Sequence, residues 1–223
     1  MKKLLYITAN PKHESLSVSK TVGREFVRRF LDRNREYEFE ELDLYDMDIP
    51  EVNPRIFTSR ASLVTDEDYH RLSEHEKYLA GHIESLCEQF IHADFYVIAA
   101  PMWNLNFPSR LKQYLDCIIL NNRLIRISDN EIEGLLGDKF RYMVYIQSSG
   151  GVYPNFPDGL FNHGVDYVHD VFTFLGIKKF YKILVQGVDD DKIGRHKALE
   201  KAYDDICTVL HKISRTTRGW FLN

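Results

Sequence analysis

The chain has 223 residues, 44% of them apolar, and its 29 Lys plus Arg against 33 Asp plus Glu give a formal net charge of −4 at pH 7. That length buries one sizeable core, so a single domain over 1–223 is expected, with 214–223 as a C-terminal tail. The basic residues are scattered, which argues against nucleic acid or a membrane surface as partner, and no run of about 18 apolar residues is available to span a bilayer.

The apolar stretch after Met1-Lys2-Lys3 breaks at Thr8-Ala9-Asn10-Pro11, too short for a secretory core. Cys87, Cys117 and Cys207 are odd in number, far apart and set in helical patterns, the usage of a reducing compartment. A cytoplasmic location is expected.

Residues 3–9 read as a strand buried on both faces and stopped by Asn10-Pro11. A Ser-rich loop follows, then a helix from about Ser19 whose apolar face carries Val22, Phe26 and Phe30. Tyr37 to Leu44 suggests a second strand, and residues from there to about Asp66 show no firm period. A long helix is expected from Asp66 or Asp68 to His92, drawn by Leu72, Leu79, Ile83, Leu86 and Phe90. Residues 95–100 are aromatic, β-branched and uncharged, the clearest strand in the chain.

Another helix follows Pro108, with Ser109 as its expected N-cap and Leu111, Tyr114, Leu115, Ile118 and Ile119 on one side. Residues 122–137 look irregular. A strand over 141–147, a helix near 160–175, a strand near 180–186 and a last helix over about 191–213 complete the alternation. Such alternation implies a parallel sheet covered on both faces, with its ligand site beyond the carboxyl ends of the strands.

Three loops at those ends are chemically distinctive. In the first, Ser15, Ser17 and Ser19 follow Asn10 and precede a helix without a Gly-rich phosphate pattern; hydroxyls and helix N–H groups suit a monoester phosphate, and ordinary N-capping explains them equally well. The second, Pro101-Met102-Trp103-Asn104-Leu105-Asn106-Phe107-Pro108-Ser109, places large apolar side chains just after a buried strand, as a cover for a flat aromatic ligand or as packing under a neighbouring loop or dimer partner. The third, Gln147-Ser148-Ser149-Gly150-Gly151, lets backbone approach a ligand closely, or is a plain tight turn.

In combination these loops resemble those of the FMN-dependent NADH-azoreductase family, the flavodoxin-like NAD(P)H quinone oxidoreductases. Pro101 to Ser109 follows that family's loop signature almost letter for letter, Ser17-Val18-Ser19 matches its phosphate loop, and Ser148-Ser149-Gly150-Gly151 matches its third loop. Asn10 falls at the family's polar position after the first strand, and Phe174-Leu175-Gly176-Ile177 adds further support. The likeness runs from residue 3 to about 213. Some relatives have Arg at the position of Ser149 and an aromatic residue at that of Ile127, departures that bear on acceptor choice rather than on FMN.

The resemblance implies an α/β flavodoxin-like fold, a doubly wound parallel sheet of five strands with helices on both faces. It implies FMN held by Asn10, Ser17, Val18, Ser19, Pro101, Met102, Trp103, Asn104, Leu105, Ser148, Ser149, Gly150 and Gly151, with the chemistry on the flavin and no catalytic side chain. NADH as donor, quinones or azo compounds as acceptors, ping-pong turnover and a homodimer follow from the same likeness.

Other constellations are weaker. His70, Glu74, His75 and His82 lack zinc-ligand spacing, and Asp189-Asp190-Asp191 reads as the acidic opening of the last helix. No nucleophile elbow is present for hydrolysis, and Cys87 and Cys117 sit in apolar settings that leave them inert. Tyr153, His163 and Tyr167 follow the third loop and are candidates to orient a substrate or donate a proton. The rival reading is a non-enzymatic FMN electron carrier, which would present a strongly acidic face that a net charge of −4 does not supply. A phosphodiesterase would need a metal or nucleophile set that is missing.

Overall fold

The computed structural model describes residues 1–129, 131–153 and 162–220, with 216–220 described by backbone alone. β1 (Lys2–Thr8) is buried from Leu4 onward, and a 3-10 turn at Glu14–Leu16 leads into α1 (Val18–Arg33). β2 (Tyr37–Asp43) is a half-exposed edge strand, with Leu44 buried just after it. The stretch without a sequence period contains a small hairpin of β3 (Phe57–Ser59) and β4 (Ser62–Leu63).

The long helix expected over 66–92 is broken in two, α2 (Asp66–His70) and α3 (Glu74–His92). The break is a capping box: Ser73 Oγ accepts from the Glu76 amide at 3.3 Å, while the Ser73 amide donates to Glu76 Oε2 at 2.8 Å. β5 (Phe95–Pro101) is wholly buried and leads to α4 (Ser109–Ile118), whose N-cap position is Pro108, so Ser109 is the first helical residue and not the cap.

Residues 122–137 hold a short antiparallel ribbon, β6 (Ile125–Ile127) with β7 (Ile132–Gly134). A Cβ on Gly134 would lie 2.1 Å from the Phe174 carbonyl, so glycine lets the ribbon press against the helix that ends there. β8 (Tyr142–Ser148), α5 (His163–Leu175) and β9 (Lys179–Val185) follow, and Gly176 closes α5 in the left-handed conformation at φ 111°. α6 (Gly194–Trp220) starts later than expected and runs into the segment read as a tail; Phe221 and Leu222 lie outside the described residues.

Five strands form one parallel sheet in the order β2-β1-β5-β8-β9. α1 and α6 cover one face, where Phe26, Phe30 and Ile206 pack on Leu4, Val97 and Val144. α3, α4 and α5 cover the other, where Ile83, Leu111 and Phe172 pack on Ile7, Ile98 and Tyr145. Burial on both faces explains why these strands read as continuous apolar runs.

The buried Arg141 fastens the far end of the sheet. Its guanidinium donates to the carbonyls of Ala93 at 3.1 Å, Leu136 at 2.9 Å and Ile91 at 2.8 Å, and pairs with Asp138. A cation at the carboxyl end of α3 is also favoured by the helix dipole.

Candidate active site

The sheet changes direction between β1 and β5, so the loops that follow them part and open a crevice at the strands' carboxyl ends. On one side, Asn10 Oδ1 accepts from the Lys12 amide at 3.0 Å and Nδ2 donates to Ser17 Oγ at 2.8 Å. Ser17 is the N-cap of α1, accepting from the Lys20 amide at 3.2 Å, and it is also one of the residues lining the crevice. Capping and a place in the cleft lining are therefore both true of it.

Beneath this loop the charges are already neutralised. Lys20 Nζ pairs with Asp43 at 2.6 Å, with the lysine side chain 8% exposed. Burial pushes the Tyr6 phenol far above its ordinary pKa, so it stays protonated and donates to the Lys20 carbonyl at 3.1 Å. Glycine at position 23 makes room for that ring, since a Cβ there would stand 2.4 Å from the Tyr6 hydroxyl oxygen.

The second loop is a two-residue turn. Trp103 and Asn106 exchange backbone hydrogen bonds of 2.7 and 2.9 Å, and Asn104 and Leu105 between them take φ of 48° and 63°. Trp103 is 43% exposed and meets Tyr45 edge-on at 6.4 Å, whereas Phe107 is buried edge-on to Tyr167 at 5.5 Å. The apolar residues of this loop thus divide, Phe107 packing inward and Trp103 standing at the crevice.

In the third loop the Ser148 carbonyl accepts from the Met102 amide at 2.7 Å, and Ser149 Oγ donates to the Gly151 carbonyl at 2.9 Å. The carbonyls of Ser149, Gly150 and Gly151 accept from Val188, Asp189 and Gly187 at 3.1, 3.0 and 3.1 Å. Gly150 lies against the Asp189 carboxylate, where a Cβ would stand 2.6 Å from Oδ2.

The resulting cleft has a volume of about 270 Å³. Asn10, Ser17 and Val18 line it from the first loop, Pro101, Met102 and Trp103 from the second, and Ser148, Ser149 and Gly150 from the third. Four other residues expected at the site are not in its lining. Ser19 is buried behind Ser17, with the two hydroxyl oxygens 3.2 Å apart. Asn104 faces an adjoining hollow of about 430 Å³ beyond Trp103, shared with Lys112 and Tyr167. Leu105 is at the turn tip, and Gly151 is exposed past the rim.

Lys12, Leu16, Val188, Asp189 and Arg195 also line the cleft, and the sequence reading did not assign them to it. The acidic run does not open α6: Asp190 accepts from the amides of Lys192 and Ile193 at 2.9 and 3.1 Å and forms a turn ahead of Gly194, leaving Asp189 at the cleft. Among the described residues no group of three or more His, Cys, Asp or Glu is placed to hold a metal ion.

Comparison with known proteins accounts for the arrangement. A family model described as "Flavodoxin-like fold" matches residues 2–210. FMN-dependent NADH:quinone oxidoreductase 1 of Clostridium acetobutylicum is 50% identical over 213 residues, covering 96% of each chain. The chain belongs to the flavodoxin-like FMN-dependent NADH:quinone oxidoreductase family. A second member, from Clostridium botulinum, is 45% identical over 214 residues, 96% of this chain and 100% of its own. Among solved structures, an FMN-dependent NADH-azoreductase of Bacillus anthracis in complex with FMN superposes with a TM-score of 0.80 at 27% identity, covering 96% of this chain and 99% of that one.

Proposed function

We infer that this chain is an FMN-dependent NADH:quinone oxidoreductase that also reduces azo compounds. The observation that carries the reading is the convergence of three loops of different chemistry on one cleft at the point where the sheet order reverses. The lining brings together a hydroxyl, a helix start and basic side chains, then Pro101, Met102 and Trp103, and then a glycine turn. That sequence of surfaces fits the phosphate, the ring and the polar pyrimidine edge of FMN.

When bound, FMN supplies two-electron hydride chemistry and the protein supplies position and electrostatics. Ser17 and the first amides of α1 would hold the phosphate, with Asn10 and Ser19 fixing the Ser17 hydroxyl through their hydrogen bonds. Met102 and Trp103 would pack on the ring, and the amide of Gly150 would donate to its pyrimidine edge, with Gly151 giving the turn its close approach. The side of the cleft at Trp103 would serve NADH and the acceptor in turn, which is a ping-pong order. We place the protein in the cytoplasm, where its three free cysteines stay reduced; among the described residues no helix is long and apolar enough to cross a membrane. Trp103, Val152 and Phe174, each at least 43% exposed, suit a homodimer in which a second subunit walls the site.

The test is the absorbance spectrum of the purified protein, its bleaching by NADH without oxygen, and steady-state rates with menadione. A colourless protein, or one that NADH does not bleach, defeats the assignment. Intersecting rather than parallel reciprocal plots defeat the ping-pong order, and light scattering at 26.3 kDa, the mass of one chain, defeats the dimer.

A further inference from the structure

Among the described residues, the long side chain that lines the cleft from the carboxyl-terminal half of the chain is that of Arg195. Its Nη2 donates to the Ser15 carbonyl at 3.0 Å and its Nη1 to the Leu16 carbonyl at 3.4 Å, the two residues that precede Ser17. The turn before it sets this reach: the Gly194 amide donates to the Asp190 carbonyl at 2.8 Å, and Gly194 takes φ 68°, a conformation that favours glycine.

Two consequences follow for an anion on Ser17. Carbonyl oxygens repel a phosphate, and the guanidinium ties two of them back so that the loop offers hydroxyl and N–H groups instead. Its five N–H donors exceed what these carbonyls take, so the fork retains donors at the cleft. The Ser17-Val18-Ser19 segment is neutral, while a phosphate monoester carries about −1.5 to −2 at pH 7. Among the described residues the positive charge lining the cleft comes from Lys12 and Arg195, set against Asp189.

We propose that Arg195 is a positioning residue of the phosphate end, which orders the Ser15–Leu16 backbone and supplies the charge by which the site prefers a phosphorylated flavin to riboflavin. This rests on the FMN reading above. Neither the phosphate-loop motif nor the glycine loop contains it.

The test is fluorescence titration of the full apo chain with FMN and, separately, with riboflavin, at low and at moderate salt, for wild type, Arg195→Gln and Arg195→Lys. Arg195→Gln removes the charge and leaves a shorter neutral amide donor, whereas Arg195→Lys keeps the charge without the two-nitrogen fork. Arg195→Gln is expected to weaken FMN about tenfold at low salt, to leave riboflavin unchanged and to flatten the salt dependence of FMN binding, with Arg195→Lys restoring most of the salt dependence. FMN affinity unchanged in Arg195→Gln overturns the proposal, as does a loss shared equally by riboflavin, or a loss with the salt dependence intact. Wild-type protein that binds neither flavin overturns the FMN reading itself, and the proposal with it.

Discussion

Asn10 Nδ2 and Ser17 Oγ stand 2.8 Å apart in a hydrogen bond that joins the end of β1 to the start of α1. The side chain of one element therefore fixes the hydroxyl of another before any ligand arrives.

Replacing Ser17 and Ser19 together by Ala is expected to weaken FMN retention with the fold intact, each lost charge-assisted bond costing roughly 1.5–3 kcal/mol. Because Ser19 is buried behind Ser17, the single Ser17→Ala change should cost more than Ser19→Ala. Flavin titration of the two single variants decides this, and equal losses would place both hydroxyls on the phosphate.

Trp103→Ala and Asn104→Ala should fail in different ways. The Trp103 ring stands at the cleft, so its loss should loosen FMN or slow both half-reactions in stopped flow while the melting temperature barely moves. Asn104 sits at φ 48°, where an alanine carries strain of roughly 1–2 kcal/mol and Gly does not. Asn104→Gly should thus bind FMN nearly as wild type does. Identical behaviour of Asn104→Ala and Asn104→Gly would mean that the side chain, not the turn, matters.

Burial pushes the Cys87 and Cys117 thiols up to about 12, whereas Cys207 is exposed. At mildly alkaline pH the first two hold their protons, and the thiolate is the reactive form. Iodoacetamide treatment of the native protein followed by peptide mass spectrometry should find one modified site, Cys207. Rapid labelling of Cys87 or Cys117 without denaturant would contradict the packing around α3 and α4.

Arg141→Met should destabilise the fold by about 3 kcal/mol or more, because three backbone carbonyls lose the donor of a buried guanidinium, while the exposed Asp138 only loses an ion pair. Urea unfolding measures it. The residue is at the opposite end of the sheet from the cleft, so the FMN affinity of the folded fraction should be unchanged.

The strand over 95–100 is legible because burial on both faces removes every polar residue from it. The break before α3 is hidden for the opposite reason: Leu72 stays in phase with Leu79 and is itself buried, so the apolar period runs through the gap, and only the Ser73 and Glu76 pair marks it. β6 and β7 are three residues each, too short for any period to show. The three loops are readable as contiguous words, but Arg195 meets Ser15 from 180 positions away, a relation that only folding creates. Asp189 is misread because a run of acids ahead of a helix looks like a helix start, when Asp190 is making a turn.

The 2.7 Å bond from the Met102 amide to the Ser148 carbonyl carries the β5–β8 ladder one step past Pro101, and the Ser149 amide does the same for β8–β9 by donating to Val185 at 2.9 Å. The second and third loops are thereby two lips of one jaw, spliced to the sheet, while the first loop is the opposing jaw, held by Asn10 and Arg195 side chains. In the time domain of amide exchange, the Met102 and Ser149 protons should persist like those of strands, although both residues lie in what the sequence marks as loops. A ligand entering between the jaws therefore meets one wall held by ladder hydrogen bonds and one held by side chains from distant parts of the chain.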